Sequence, residues 1–218
     1  MITKKYLKLL WGSKLYGLTN KQSDEDYVII CVDKNDPELE QYKNDPNIEI
    51  FTTSEFQEKL NDHDLKAIEI LFAHFGKFSF TGYYEPTNNI NVSEDYTFAF
   101  YFKLDKNKLR SSVSKVVSNA YVKSKKKFID GEYYIGAKSY YHCFRILTMF
   151  ISVAKCEYFK PDAYQKDLDF IYNKIVLNYN KYLDDSLSPL ESWKNMDNEY
   201  NVYLKSLQHT FKLYCPKK

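Results

Sequence analysis

Glycine and proline are scarce in this chain of 218 residues, six of each, and no internal repeat or low-complexity linker can be found. Cysteine is also sparse. Cys31, Cys143, Cys156 and Cys215 form no C-x-x-C pair and no Cys/His cluster, which excludes a zinc ribbon or finger. No stretch approaches the about 20 apolar residues that span a bilayer, and no basic segment leads into an apolar one as a secretory signal would. The expectation is a cytoplasmic, reduced protein without a membrane partner. Charge of one sign is lacking too. A net charge of +2 rules out a polycation, so any nucleic-acid contact has to come from a local basic face. What is present is a globular balance, 44% hydrophobic and 28% charged, which argues against a disordered chain. The 21 tyrosines are better explained by packing than by base stacking.

The pattern of elements changes character along the chain. Residues 4–11 suit a strand ending at Gly12, and the β-branched run DYVIICV (26–32) suits a second, with Cys31 as a buried free thiol. Residues 33–47 carry Pro37 and Pro46 and are expected to connect rather than pack. In NIEIF (47–51), alternation puts Ile48 and Ile50 on one face and Glu49 on the other. Thr53 and Ser54 offer caps for a helical run through residue 75. The stretch 76–91 suits a loop. Helical patterns then dominate, over 106–128, 136–156, 162–183 and 197–214. This predicts an α+β fold in two domains, 1–104 with a mixed sheet and flanking helices, and 105–218 as a helical bundle.

The chemistry concentrates in LLWGSKLYGLTNKQSDEDYVII, residues 9–30. Gly12 and Ser13 end one strand, and Asp24 and Asp26 open the next. Spaced two apart at the start of a strand, the two carboxylates project from one face. They repel each other unless a cation lies between them, and hard oxygen ligands suit Mg²⁺. Gly12 lets the backbone approach a phosphate closely, and Ser13 adds a hydroxyl donor.

The segment G-S-K-L-Y-G-L-T-x-x-x-S-D-E-D-Y resembles the motif of the DNA polymerase beta-like nucleotidyltransferase superfamily. Its Y-G-L is closest to predicted bacterial and phage nucleotidyltransferases, some linked to RNA repair. The resemblance is specific over residues 9–32, and it extends more weakly through IEILF (68–72) and KSYYHCFRIL (138–147). It implies a nucleotidyltransferase-type mixed sheet, two Mg²⁺ ions, and transfer of a nucleoside monophosphate from ATP or another NTP. By the same resemblance Ser23 joins Gly12 and Ser13 at the nucleotide. The family needs a third metal-binding carboxylate on a later strand, and Glu49 is the best placed. Asp45 precedes Pro46, outside that strand.

Lys138, His142 and Arg145 fall at i, i+4 and i+7, one face of a helix suited to a triphosphate or an RNA phosphate. Phe144, Leu147 and Ile151 form the face that packs on the core. The lysines at 123 and 125–127 form a further basic run, while His63, His74 and His209 have no partner at useful spacing. The implied acceptor is a hydroxyl, foremost an RNA (tRNA) 3′ end. The alternatives are AMP transfer to a protein side chain and an inert nucleotide- or RNA-binding module.

Overall fold

A computed structural model describes residues 5–16, 25–75, 98, 100–155 and 165–217. These divide into two compact units, one running to Asp105 and one starting at Lys106. The expected 76–91 loop lies outside the described residues.

The first unit is built on a three-stranded mixed sheet. Strand β1 (Tyr6–Trp11) runs antiparallel to β2 (Asp26–Cys31), and β2 runs parallel to β3 (Ile48–Thr52), with β2 in the centre. The register pairs Trp11 with Asp26, Leu9 with Val28, and Val28 with Glu49. Side chains alternate along a strand and paired residues share a face. Trp11, Asp26, Val28, Ile30, Glu49 and Phe51 therefore lie on one side of the sheet. On the other, Ile29 and Cys31 form an apolar cluster with Leu39, joined by Tyr6, Tyr42, Ile48 and Ile50.

Leu39 corrects one expectation. Residues 33–47 do pack, because Pro37–Tyr42 forms a 3-10 helix that lays Leu39, fully buried, on the sheet. Pro37 fits the first helical position, where its missing N–H costs nothing, and Asp36 caps that turn through the Glu38 N–H.

The next helical run is two helices rather than one. Helix α1 (Thr53–Asn61) is capped by Thr52, one residue before the expected caps, in a reciprocal box with Glu55. It stops at His63, which adopts a left-handed backbone with φ 57°. Asp64 then starts α2 (Leu65–His74) by accepting from the Ala67 N–H at 3.0 Å. His63 has a structural task that sequence spacing did not suggest. Its Nε2 accepts from the Asp105 N–H at 2.8 Å, which leaves Nδ1 to donate to the Asn61 carbonyl. Lysines of both helices stand over aromatic rings of the Asp26 face, Lys59 over Phe51 and Lys66 over Trp11, so α1 and α2 cover that side. Burying Phe56, Leu60, Ile68, Leu71 and Phe72 fixes them there, at roughly 1.5–3 kcal/mol per side chain.

The second unit is helical. Helix α3 (Lys106–Ile129) buries Leu109, Val113, Val117, Ala120, Ser124 and Phe128, a stripe at steps of three and four. Gly131, at φ 78°, takes the left-handed turn into α4 (Tyr133–Ala154). Sixteen of the 22 residues of α4 are buried, so it is the central helix rather than an amphipathic one. Phe144, Leu147 and Ile151 are among them.

Helix α5 (Gln165–Tyr172) ends before the expected 183. It widens into a π turn at Asn173–Leu177, where Asn178 Nδ2 donates to the Asn173 carbonyl at 2.6 Å, and then tightens to a 3-10 turn at Tyr179–Tyr182. Helix α6 (Pro189–Tyr214) begins eight residues before the expected 197, set by Pro189 in the first turn and a capping box between Ser188 and Glu191. No described helix is long and apolar enough to cross a membrane.

Candidate active site

The end of β1 and the start of β2 are one structural feature. Trp11 pairs with Asp26, and the next residue, Gly12, turns the chain at φ 75° into a 3-10 helix (Gly12–Tyr16). A Cβ at Gly12 would overlap the Asp26 carboxylate oxygen and lie 3.0 Å from its Cγ. Glycine is therefore required twice over, by the left-handed backbone and by the carboxylate folded against its Cα. The sequence suggested that Gly12 lets a ligand approach. The group that already stands against it is Asp26.

Glu49 is on the same face, on the neighbouring strand. With strands about 4.8 Å apart and a rise of about 3.3 Å per residue, Asp26 and Glu49, two positions out of register, are on the order of 8 Å apart at Cα. Val28 and Ile30, on the same face, are each fully buried. The other acids near β3 are occupied in turns. Asp45 accepts from the Asn47 N–H at 2.9 Å, and Asp33 from the Asn35 N–H at 2.8 Å.

Two residues absent from the sequence reading complete this face. Lys66, in the first turn of α2, makes an ion pair with Glu49 Oε1 and places its ammonium 3.9 Å from the centre of the Trp11 ring. Trp11 itself has a buried indole Nε1 with no hydrogen-bond partner among the described residues. Neither could be found by spacing, because Lys66 is 17 positions from Glu49 and the contact with Trp11 is longer-range still. Glu25, the middle of the D-E-D run, is turned aside. It pairs with Lys14 and accepts from the Tyr27 hydroxyl at 2.7 Å, which ties the 3-10 turn after β1 to the start of β2. His74 bonds the Leu10 carbonyl at 2.8 Å through Nε2, holding α2 to the outer edge of β1; burial pushes its imidazole pKa down.

Ser23, Asp24 and the side chain of Ser13 lie outside the described residues. Among the described residues no group of three His, Cys, Asp or Glu side chains is arranged to hold a metal. The donors that are present, the carboxylates of Asp26 and Glu49 on one face with a backbone lacking a Cβ beside them, are of the hard-oxygen kind that Mg²⁺ takes. Their chemistry fits the ion that the motif implies.

In the helical unit, the three residues expected on one face of α4 differ in exposure. Lys138 is exposed, His142 is half-buried and Arg145 is buried. Arg145 donates through Nε to His142 Nδ1 at 3.3 Å and through Nη1 to the Met149 sulfur at 3.6 Å. Burial, then the nearby charges of Arg145, Lys123 and Lys138, push the His142 imidazole down to about 3. It is neutral at physiological pH, with Nδ1 accepting from the guanidinium. Lys123 and Lys125, in the basic run of α3, differ in surroundings: Lys123 lies near His142, and Lys125 stands over the Trp193 ring. No protein-family model, curated protein or solved structure matches the chain.

Proposed function

We propose that the chain is a Mg²⁺-dependent nucleotidyltransferase, of the polymerase beta-like kind its motif resembles, that transfers a nucleoside monophosphate from an NTP to the 3′ hydroxyl of an RNA. The observation that carries the reading is the seat of Asp26. Its carboxylate lies against the left-handed Gly12, on the sheet face that also bears Glu49. The packing and the left-handed backbone both require glycine at position 12, and they leave a backbone without a Cβ beside a hard-oxygen donor. In the proposed reading, backbone and carboxylate serve the same ligand.

In this reading Asp24, Asp26 and Glu49 would be the residues that hold two Mg²⁺ ions. Bound Mg²⁺ would supply charge neutralisation at the triphosphate and ease ionisation of the attacking hydroxyl. Gly12, Ser13 and Ser23 cradle the phosphates. The acceptor oxygen attacks the α-phosphorus, the bond from that phosphorus to the bridging oxygen breaks, and pyrophosphate leaves. In this reading Glu49 accepts the hydroxyl proton. Positioning and electrostatics do most of the catalysis, without a covalent enzyme intermediate. Of the three basic positions on α4, exposed Lys138 is the one assigned to phosphate contact, because Arg145 is buried and bonded to His142 and Met149.

The test is incubation of purified protein with each α-labelled NTP, Mg²⁺ and total RNA. Label on RNA 3′ ends, lost in Asp24→Asn and Asp26→Asn, is the expected result. Label on protein instead would replace the acceptor with a side chain. No transfer to either would leave a binding module and sink the enzyme assignment.

A further inference from the structure

Lys66 is placed against the preference of its own helix. It is the second residue of α2, where the unpaired N–H groups already give the helix end a positive character and a cation is disfavoured. Its side chain is nevertheless well enclosed, 20% exposed against 54% for its partner Glu49. The ammonium rests on the Trp11 ring and on the Glu49 carboxylate, both on the sheet face that carries Asp26. A cation is therefore already seated beside one of the carboxylates assigned to metal.

We propose that Lys66 is the resident counter-cation of Glu49 and competes with divalent metal for that carboxylate until a triphosphate offers the ammonium another anion. This deepens the nucleotidyltransferase reading and rests on it, through the role given to Glu49. Its consequence is coupling. Metal alone meets a carboxylate already neutralised, whereas metal together with a triphosphate meets one that Lys66 has released. Lys66 acts here as a positioning residue, through Glu49, and the substrate class it selects is a polyphosphate rather than a monophosphate.

The experiment measures Mn²⁺ binding by calorimetry on the full chain, with and without a non-hydrolysable α,β-methylene NTP. Without nucleotide, Lys66→Met should bind Mn²⁺ on the order of tenfold tighter than wild type, because one opposing charge is gone. Lys66→Arg, which keeps the charge, should behave as wild type. The analogue should abolish the difference, and in a Glu49→Gln background the Lys66→Met effect should vanish. A second readout needs no substitution of Lys66. Trp11 and Trp193 are the only tryptophans, so two indole N–H signals are expected by NMR, assigned with Trp193→Phe. The Trp11 signal should shift little with Mg²⁺ alone and strongly with Mg²⁺ plus analogue. Equal or weaker Mn²⁺ binding in Lys66→Met, or an unmoved Trp11 signal with both ligands, overturns the counter-cation role. If Asp26→Asn still abolishes Mn²⁺ binding in that case, the nucleotidyltransferase reading stands. Mn²⁺ binding indifferent to Asp26→Asn overturns both.

Discussion

The two units of this chain use polar side chains in opposite ways. In the helical unit they are internal fasteners. Asp197 accepts from the hydroxyls of Tyr121 at 2.9 Å and Tyr140 at 2.8 Å, and Trp193 donates to Ser124 at 3.1 Å. Glu199 is held by Lys181 and Tyr182, and its carboxyl is drawn down to about 2, first by the Lys181 hydrogen bond. Burial, with the Asp197 bond second, pushes the Tyr121 hydroxyl up to about 12. Every one of these groups is satisfied by a neighbour in the same helical unit.

In the sheet unit the carboxylates of Asp26 and Glu49 stand at strand ends on a shared face, and the cation beside Glu49 comes from a different element, α2. The contrast separates two kinds of perturbed polar residue. Strong pKa shifts mark the fasteners of the helical unit, whereas the candidate chemistry is marked by backbone geometry at Gly12. Ranking residues by shifted pKa alone selects the helical unit rather than the sheet face proposed for the chemistry.

This contrast can be broken by substitutions in each unit, with the largest effect expected at Gly12. Gly12→Ala should reduce transfer by more than about a hundredfold, since the new methyl must displace Asp26 and strain a left-handed backbone. Amide exchange of α3, α4 and α6 should be unchanged; a loss of protection there would show that the damage is global folding. Glu49→Gln comes next. Turnover should fall by at least about tenfold while NTP binding stays measurable, because a base or ligand is lost without the phosphate cradle. An equal fall in Asp45→Asn would point to the wrong carboxylate.

Tyr140→Phe should do the reverse of Gly12→Ala. It deprives Asp197 of one of two hydroxyl donors and should cost about 1–2 kcal/mol in a denaturant titration with transfer rates unaltered. The smallest effect concerns pH. His142 is held neutral, with a folded pKa of about 3 against an ordinary value of 6.5. Below pH 6.5 the unfolded chain takes up a proton that the folded chain refuses, so stability falls with acidity by at most about 1.4 kcal/mol per pH unit. Glu199, with its depressed carboxyl, adds its own loss only below about pH 4.5. Melting temperatures from pH 7 to pH 5 should therefore decline less steeply in His142→Asn than in wild type. Parallel curves would mean that the imidazole is already solvated.

Much of the layout was legible in the residues. Residue patterns located all three described strands, because alternation and β-branched runs are local signals. It also placed Ile48 and Ile50 opposite Glu49, and the long helices α3 and α4 within a few residues. Short-range chemistry misled where a single residue carried the decision. Left-handed His63 splits one apolar run into α1 and α2, and Pro37 and Pro189 begin helical turns rather than ending segments. The nature of α4 was also hidden. A Lys-His-Arg spacing looks like a solvated stripe until Arg145 is found buried, with His142 accepting from it.

By itself, then, the sequence determined the element types, the candidate ligands Asp24, Asp26 and Glu49, and the glycine that accompanies them, since each follows from the residue's own conformational and chemical preferences. Only the tertiary structure decided that Gly12 lies under the Asp26 carboxylate, that Asp26 and Glu49 share a face, and that Lys66 on α2 reaches both Glu49 and Trp11. Strand register and the angle at which a helix crosses a sheet are set by the packing of many side chains at once, so no local spacing encodes them.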